Sequence, residues 1–337
     1  MTESTGALTK KVASGSPYQL DNDQVTRATK ALLKHIKSES KSKATQSGKK
    51  SLLAEGDSDS EDELENETPI WLIMTTKQHI VDKNRLKPGK IPVPHSLNTS
   101  ESLRICLLTA DPQRAVKDVI ADPSFPTSLS SRITTIIGFS KLKAKYHTFE
   151  SRRQLLAEHD VFLADDRIIN RLVDALGKIF YKSSKRPIPI SIGEIQRKDG
   201  KRLKRDERKR PPTDEKYAVV ASPAVVAKEI EKTLGTVPVQ LAPATTTAVR
   251  VGRVKFTPEQ IAENVTAVVQ GLTDRFVTKG WRNVKAIHLK GPNTMALPVW
   301  LASELWVDGS AVTEQKMVTE KEKKKPAKKE IADKKSS

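Results

Sequence analysis

The stretch Asn283 to Trp300, NVKAIHLKGPNTMALPVW, sets two apolar runs on either side of a basic turn, Lys290-Gly291-Pro292-Asn293-Thr294. Val284, Ala286 and Ile287 before the turn, and Ala296, Leu297, Val299 and Leu301 after it, are aliphatic residues that suit half-buried strands, with Gly and Pro as punctuation. The pattern predicts a hairpin. Its turn has the residues of a grip on RNA, and an ordinary hairpin loop accounts for the same five positions equally well.

Working outward, TTTAVRVGRV from Thr245 to Val254 alternates Val249 and Val251 with Arg250 and Arg253, which predicts a strand with cations on one face. Gly252 marks a bulge there or a close backbone approach to a phosphate. Thr257-Pro258-Glu259-Gln260 has capping-box spacing, and Ile261, Val265, Val268, Val269, Leu272 and Phe276 form one stripe of a helix running to about Thr278. Near the other end of the chain, DQVTRATKALLKHI from Asp23 puts Val25, Ala28, Leu32, Leu33 and Ile36 at helical spacing and leaves Arg27, Lys30, Lys34 and Lys37 off that stripe. After Ile36 the pattern dissolves. PIWLIMTT from Pro69 is an apolar run short enough for a buried strand, with Trp71 read as a core residue.

Between these outer pieces the chain alternates strand and helix. LRICLLT (Leu103 to Thr109), ITTIIG (Ile133 to Gly138) and Val161 to Ala164 read as strands; Pro112 to Ile120, Tyr146 to His159 and Asp166 to Leu176 read as helices. Such βαβ alternation predicts a small Rossmann-like unit around a parallel sheet. Proline-rich stretches bound it: LKPGKIPVPHSLN (86–98) before and RPIPI (186–190) after read as extended linkers. Open parallel sheets bind ligands at the carboxyl ends of their strands, yet the first turn, Thr109-Ala-Asp-Pro-Gln-Arg114, has no glycine to admit a pyrophosphate, and the chain has no GxxxxGK[ST] loop. No nucleotide cofactor is expected. Asp165 and Asp166 are read as capping the helix that begins near Arg167. Ser222-Pro223 supplies a cap and first-turn proline for a helix from Ala224 to Leu234, with Val225, Ile230 and Leu234 inward and Lys228 and Lys232 outward; VPVQLAPA (237–244) follows as a loop.

The whole chain of 337 residues carries a formal net charge of +18. That balance favours a polyanion, and nucleic acid is the expected partner because no uninterrupted apolar run is long enough to span a membrane and the N-terminus has no apolar signal core. The single cysteine, Cys106, lies in an apolar run, so no disulfide framework is possible and a core role is expected. The histidines are scattered, without metal-ligand spacing or a triad-like grouping; no catalytic residue, metal or cofactor is assigned. Between Arg197 and Arg210 stand nine Lys or Arg against three Asp or Glu, among them Lys201, Arg202, Lys204 and Arg205. This run reads as a phosphate-binding arm, with a solvated basic loop as the simpler account. Only 4% of the chain is aromatic and no aromatic stands among these clusters, so recognition by shape is expected over base stacking. In the acidic run Glu55 to Glu67, Ser58 and Ser60 precede several carboxylates, a context that acidophilic kinases favour; a spacer held extended by self-repulsion fits it equally.

Three stretches, PIWLIMTT with the basic helix before it, VRVGRVKFTPEQIAENV (249–265) and VKAIHLKGPNTMALPVW, together resemble the ribosomal protein L-one superfamily over about residues 20–308. The resemblance implies a two-domain α/β fold in which a discontinuous α+β outer domain, built from both ends of the chain, binds RNA and is interrupted by a Rossmann-like insert. Thr257, Pro258, Glu259, Gln260 and Asn264 match the family's helix start, and Gly291 and Pro292 its second RNA-facing turn. Leu289-Lys290-Gly291 stands where the ribosomal members have a Thr-Met-Gly type turn, and the acidic run and lysine-rich tail look more like the nucleolar relatives that assist ribosome assembly. The implied layout is a disordered 1–18, an outer domain at 19–102 with an acidic insert at 54–67, an inserted domain at 103–186, the outer domain again at 187–308 and a disordered lysine-rich tail at 309–337. The implied role is non-enzymatic binding of precursor ribosomal RNA in the nucleolus, in early large-subunit particles near the internal transcribed spacer or, for the paralogue, in the small-subunit processome. A protein-only scaffold is the reading from another class. RNA contacts are expected from Arg27, Lys30, Lys34, Lys201, Arg202, Lys204, Arg205, Lys228, Arg250, Arg253, Lys255 and Lys290 to Thr294, and other assembly factors are expected on the insert and on Pro88 to Pro94.

Overall fold

A computed structural model describes residues 19–46, 68–82, 86–100, 102–193, 197–198, 201–202 and 220–304. The expected tails, the acidic run and most of the basic arm lie outside these residues.

The outer lobe is a four-stranded antiparallel sheet in the order β10-β1-β11-β12, formed by β1 (Pro69–Thr76), β10 (Thr246–Arg253), β11 (Val284–Lys290) and β12 (Leu297–Leu301). Two helices cover one face: α1 (Asn22–Gln46) and α8 (Pro258–Arg275). On β1 the residues facing the helices, Ile70, Leu72, Met74 and Thr76, are buried, while Trp71, Ile73 and Thr75 are half-buried on the other face. Trp71 is therefore outside the core where the sequence placed it; an all-apolar run carries no sign of which face meets the helices. The buried side of α1 is Val25, Thr29, Leu32 and Leu33, and the helix runs a further ten residues past Ile36, to Gln46. Asn264 of α8, fully buried, donates from Nδ2 to the carbonyls of His95 and Val251 (2.9 Å each) and accepts from the His95 amide, tying helix, β10 and the incoming chain together.

Both proline-rich connections corrected the expectation of linkers. Gly89–Pro92 is β2, and it pairs antiparallel with β9 (Thr236–Val239), from the stretch read as a loop. Two-stranded pairs and edges tolerate proline, because its missing donor would point away from the ladder. β2 lies so close to α8 that a Cβ on Gly271 would stand 2.7 Å from Ile91 Cγ2. Lys90 anchors the pair to the next lobe through Glu229 (2.8 Å) and Thr233 (2.7 Å).

The inserted lobe is a parallel sheet in the order β4-β3-β5-β6: β3 (Ile105–Thr109), β4 (Ile133–Gly138), β5 (Val161–Asp165) and β6 (Ile188–Ile190). The RPIPI stretch is thus its edge strand, with Pro189 where an edge permits it. One face packs α2 (Gln113–Ala121), α3 (Thr127–Ser130) and α7 (Pro223–Leu234); the other packs α4 (Phe139–Lys145), α5 (Phe149–Glu158) and α6 (Leu172–Lys182). Residues 188–192 and 221–234, which the sequence assigned to the returning outer half, contribute Ile188, Ile190, Val226, Ile230 and Leu234 to this lobe's core. Val226 and Ala227 turn inward, and Val225 is exposed. The helix read as Tyr146 to His159 is α5, which starts three residues later at Phe149, and a separate helix unseen in the sequence, α4, ends just before Tyr146; the one expected from Asp166 begins at Leu172. Asp165 does not cap it: its carboxylate accepts from the Arg167 amide and guanidinium (2.9 Å each). Cys106 is fully buried on β3, and burial pushes its thiol up to about 12.

Candidate nucleic-acid interface

β1 pairs Pro69 with Arg253 of β10 and Trp71 with Lys290 of β11, so the β10–α8 and β11–β12 connections leave the same end of the outer sheet. The C-terminal half of α1 lies over that end. Arg27, Lys30, Lys34 and Lys37, spaced i, i+3, i+7 and i+10, form one exposed stripe along it. Between α1 and the β10–α8 connection runs a groove of about 700 Å³, walled by Lys30, Lys34, Lys37 and Lys255 over a floor of Leu33, Val254 and Phe256. Thr257 begins α8 at the groove's rim with a complete capping box: the Gln260 amide donates to Thr257 Oγ1 (3.3 Å) and the Thr257 amide to Gln260 Oε1 (3.1 Å). Lys30 and Glu259 approach at 3.7 Å with both side chains well exposed, a contact too solvated to neutralise the wall.

The β11–β12 turn is held from within. The Gly291 amide donates to Thr294 Oγ1 (2.8 Å), and a Cβ on Gly291 would meet Ile36 of α1 and Thr294 at 3.1 Å. Thr294 is 8% exposed, so the RNA contact expected of it gives way to a structural role. Pro292, Asn293, Met295 and Ala296 are the exposed residues of the connection.

Arg250 and Lys290 belong to a different surface. Register places them on either side of Trp71, as a row Arg250–Trp71–Lys290 across the sheet face that α1 and α8 leave uncovered. A bulge at this point, where Val251 has no opposite residue, lets Gly252 lie under Ile261 and closes the alternatives left open for that glycine. Trp71, Arg250 and Arg253 line one wall of a cleft of about 690 Å³ whose other wall is Lys182, Lys185 and Arg186 of the inserted lobe. The cations here are partly engaged: Arg253 donates to the Leu97 carbonyl (2.9 Å) and Lys185 to the His159 carbonyl (2.8 Å).

The expected contact residues are therefore not one patch. Lys30, Lys34 and Lys255 converge with Lys37 at the groove, and Arg27 continues their stripe along α1; Arg250 and Arg253 line the cleft, while Lys290 lies beside Trp71 on the same sheet face; Lys228 is exposed on α7 of the inserted lobe. Lys201 and Arg202 form β8, paired with β7 (Arg197–Lys198) in a short hairpin. Lys204, Arg205, Ser58 and Ser60 lie outside the described residues. The sequence passed over Lys37 as a site residue although its spacing from Lys34 signals it, and gave no sign of Lys182, Lys185 and Arg186, which only the fold brings opposite Arg250.

Among the described residues no group of three or more His, Cys, Asp or Glu could hold a metal ion, and no helix is long and apolar enough to cross a membrane. A sequence model of the Ribosomal protein L1p/L10e family matches residues 23–295, from the first turn of α1 to the β11–β12 turn. The chain belongs to this family. A Schizosaccharomyces pombe relative whose name assigns it to ribosome biogenesis is 33% identical over 240 residues, 71% of this chain and 56% of that protein. A second from the same organism, similarly named, is 24% identical over 231 residues, 68% of this chain and 70% of the relative. The Ribosomal L1 domain-containing protein 1 of Mus musculus is 26% identical over 231 residues, 66% of this chain and 43% of its own length. The chain thus spans little more than half of the first relative and less than half of the mouse protein. Within the family match, the split outer sheet and the parallel insert form a mixed α/β fold of two lobes.

Proposed function

We propose that this protein is a non-enzymatic ribosome-assembly factor that binds precursor ribosomal RNA through its outer lobe, in the nucleolus, within early large-subunit particles near the internal transcribed spacer. The names of the relatives support the assembly role, and the groove supports the RNA. Four lysines, three from α1 and one from the β10–α8 connection, wall a channel with an apolar floor at one end of the outer sheet. Such a channel tracks a phosphate backbone, and each phosphate neutralised releases counterions. Asn293 is exposed on the turn that leaves the same end of the sheet and adds a polar contact there, and other assembly factors in the particle are partners for the remaining surface.

The test is binding of a spacer transcript by the full chain across a salt series. Replacing Lys30, Lys34 and Lys255 by alanine together should weaken binding at low salt by on the order of a hundredfold and flatten the salt slope by about three units, roughly one per phosphate contact. An unchanged affinity and slope would remove the groove from the interface and favour a protein-only scaffold. Crosslinking in cells decides the particle: crosslinks from Lys255 or Asn293 to small-subunit precursor sequence would move the protein to the small-subunit processome.

A further inference from the structure

The inserted lobe carries a basic surface that the outer-lobe groove does not explain. In residues 139–153, FSKLKAKYHTFESRR, five cations stand against one carboxylate, Glu150, which pairs with Arg153 at 3.4 Å on an exposed surface. Lys141, Lys143 and Lys145 of α4 are all exposed. Asp111, the acid beside the start of α4, is occupied by the Ser140 amide (3.1 Å) and hydroxyl (2.7 Å). Aromatic rings alternate with these cations, in a basic stretch that the sequence reading did not single out. Lys143 Nζ lies 5.0 Å and Arg171 Cζ 4.6 Å from the Phe139 ring centre, Lys145 Nζ 5.3 Å from that of Tyr146, and Arg152 Cζ 6.0 Å from that of Phe149.

Phe139 is buried, but Phe149 is 67% exposed and Tyr146 half-buried, so two rings present area to solvent at the corner between α4 and α5. That corner is fixed. Arg152 Nε donates to the Tyr146 carbonyl (2.9 Å), and Thr148 caps α5 by accepting from the Ser151 amide (3.2 Å). A single exposed phenylalanine is ordinary on a protein surface; one under the Arg152 guanidinium, at a fixed corner that also presents Tyr146 with Lys145 over its ring, is a stacking platform with phosphate partners in place.

We propose that the α4–α5 corner binds single-stranded RNA, with bases stacked on Phe149 and Tyr146 and phosphates held by Lys143, Lys145 and Arg153. Unpaired bases expose the π-faces these rings need, whereas a duplex keeps its bases stacked within the helix. An acidic peptide would use the lysines and leave Phe149 without a role, which makes the ring the discriminating residue. The site lies on a different lobe from the groove and does not depend on it.

The measurement is fluorescence anisotropy of labelled oligouridylate with the full chain bearing alanine at Lys30, Lys34 and Lys255, so that the groove is silent. Phe149→Ala should weaken binding about tenfold with the salt slope unchanged, and Phe149→Trp should restore it, as stacking requires. Lys143→Ala with Lys145→Ala should lower the slope by about 1.4, close to 0.7 per single-strand phosphate contact. Circular dichroism of each variant checks the fold. No binding of oligouridylate, or binding indifferent to Phe149 and displaced by polyglutamate, would overturn the proposal, the second result marking an acidic-peptide surface. Neither outcome touches the groove, whose failure would appear only with the spacer transcript.

Discussion

The two sheets solve burial in opposite ways. The parallel sheet of the insert is covered on both faces, and every residue of β3 and β5 is buried; the antiparallel outer sheet is covered by α1 and α8 on one face only. Parallel strands need crossovers, which put helices on both faces, whereas antiparallel strands can leave a face to solvent. In consequence β3 and β5 of the insert turn no side chain to solvent, while the outer lobe carries the row Arg250–Trp71–Lys290 on the sheet itself. Position on a sheet face, more than residue type, decides whether a side chain is core or surface.

The largest test of this contrast is Phe162→Ala on β5. Phe162 is fully buried and packs edge-on against Phe180 at 4.9 Å, so truncation should cost about 4 kcal/mol in urea unfolding. Cys106, its neighbour across β3, supplies a second readout: in the native protein its buried, protonated thiol should resist disulfide reagents, and the variant should label faster as the lobe opens. Next, two adjacent residues on β1 should differ by face: Leu72→Ala is expected to cost about 3 kcal/mol and Trp71→Ala less than half of that, despite the larger side chain removed. Equal losses would mean that the open face is as buried as the core face, and the contrast would fail.

A smaller effect belongs to Thr257→Ala, which breaks the capping box at the start of α8 and should cost about 1 kcal/mol in the same unfolding assay. The smallest concerns Asp160, before β5. Burial pushes its carboxyl up, but hydrogen bonds from Arg104 and the charges of Arg104 and Lys185 prevail and hold it below the usual carboxylate range. A depressed folded-state pKa contributes stability above the ordinary carboxylate pKa and loses it as pH falls through the folded value. Asp160→Asn should therefore lower stability slightly at neutral pH, where the charged carboxyl contributes in full, and flatten the acid limb so that variant and native protein converge at low pH; a steeper acid limb would contradict the assignment.

Several elements were legible because their signals are local. The stripe of α1 and α8, the Thr257–Gln260 box, the alternation of β10 and the hairpin of β11 and β12 each depend on residues within one or two turns or along one strand. The prolines misled, since a proline says only that a donor is missing; whether that matters depends on a pairing partner far away in sequence, as for Ile91 opposite Val237. The candidate groove was partly readable, because Lys30, Lys34 and Lys255 were singled out by their charge and place on predicted elements. Its convergence was not, for Lys34 and Lys255 are brought together only by α1 packing across the returning strand and helix.

What the sequence alone determined is the set of helices and strands with strong periodicity, the basic balance, the capping of α8 and the division into a split outer part and an alternating insert. Tertiary structure decided the rest: that Trp71 faces away from the core, that Thr294 holds a turn through the Gly291 amide, that α7 packs on the insert, and that Phe149 stands exposed under Arg152 at the α4–α5 corner. Local hydrogen bonding and side-chain period are encoded over a few residues, whereas burial is a property of whatever surface arrives from elsewhere in the chain.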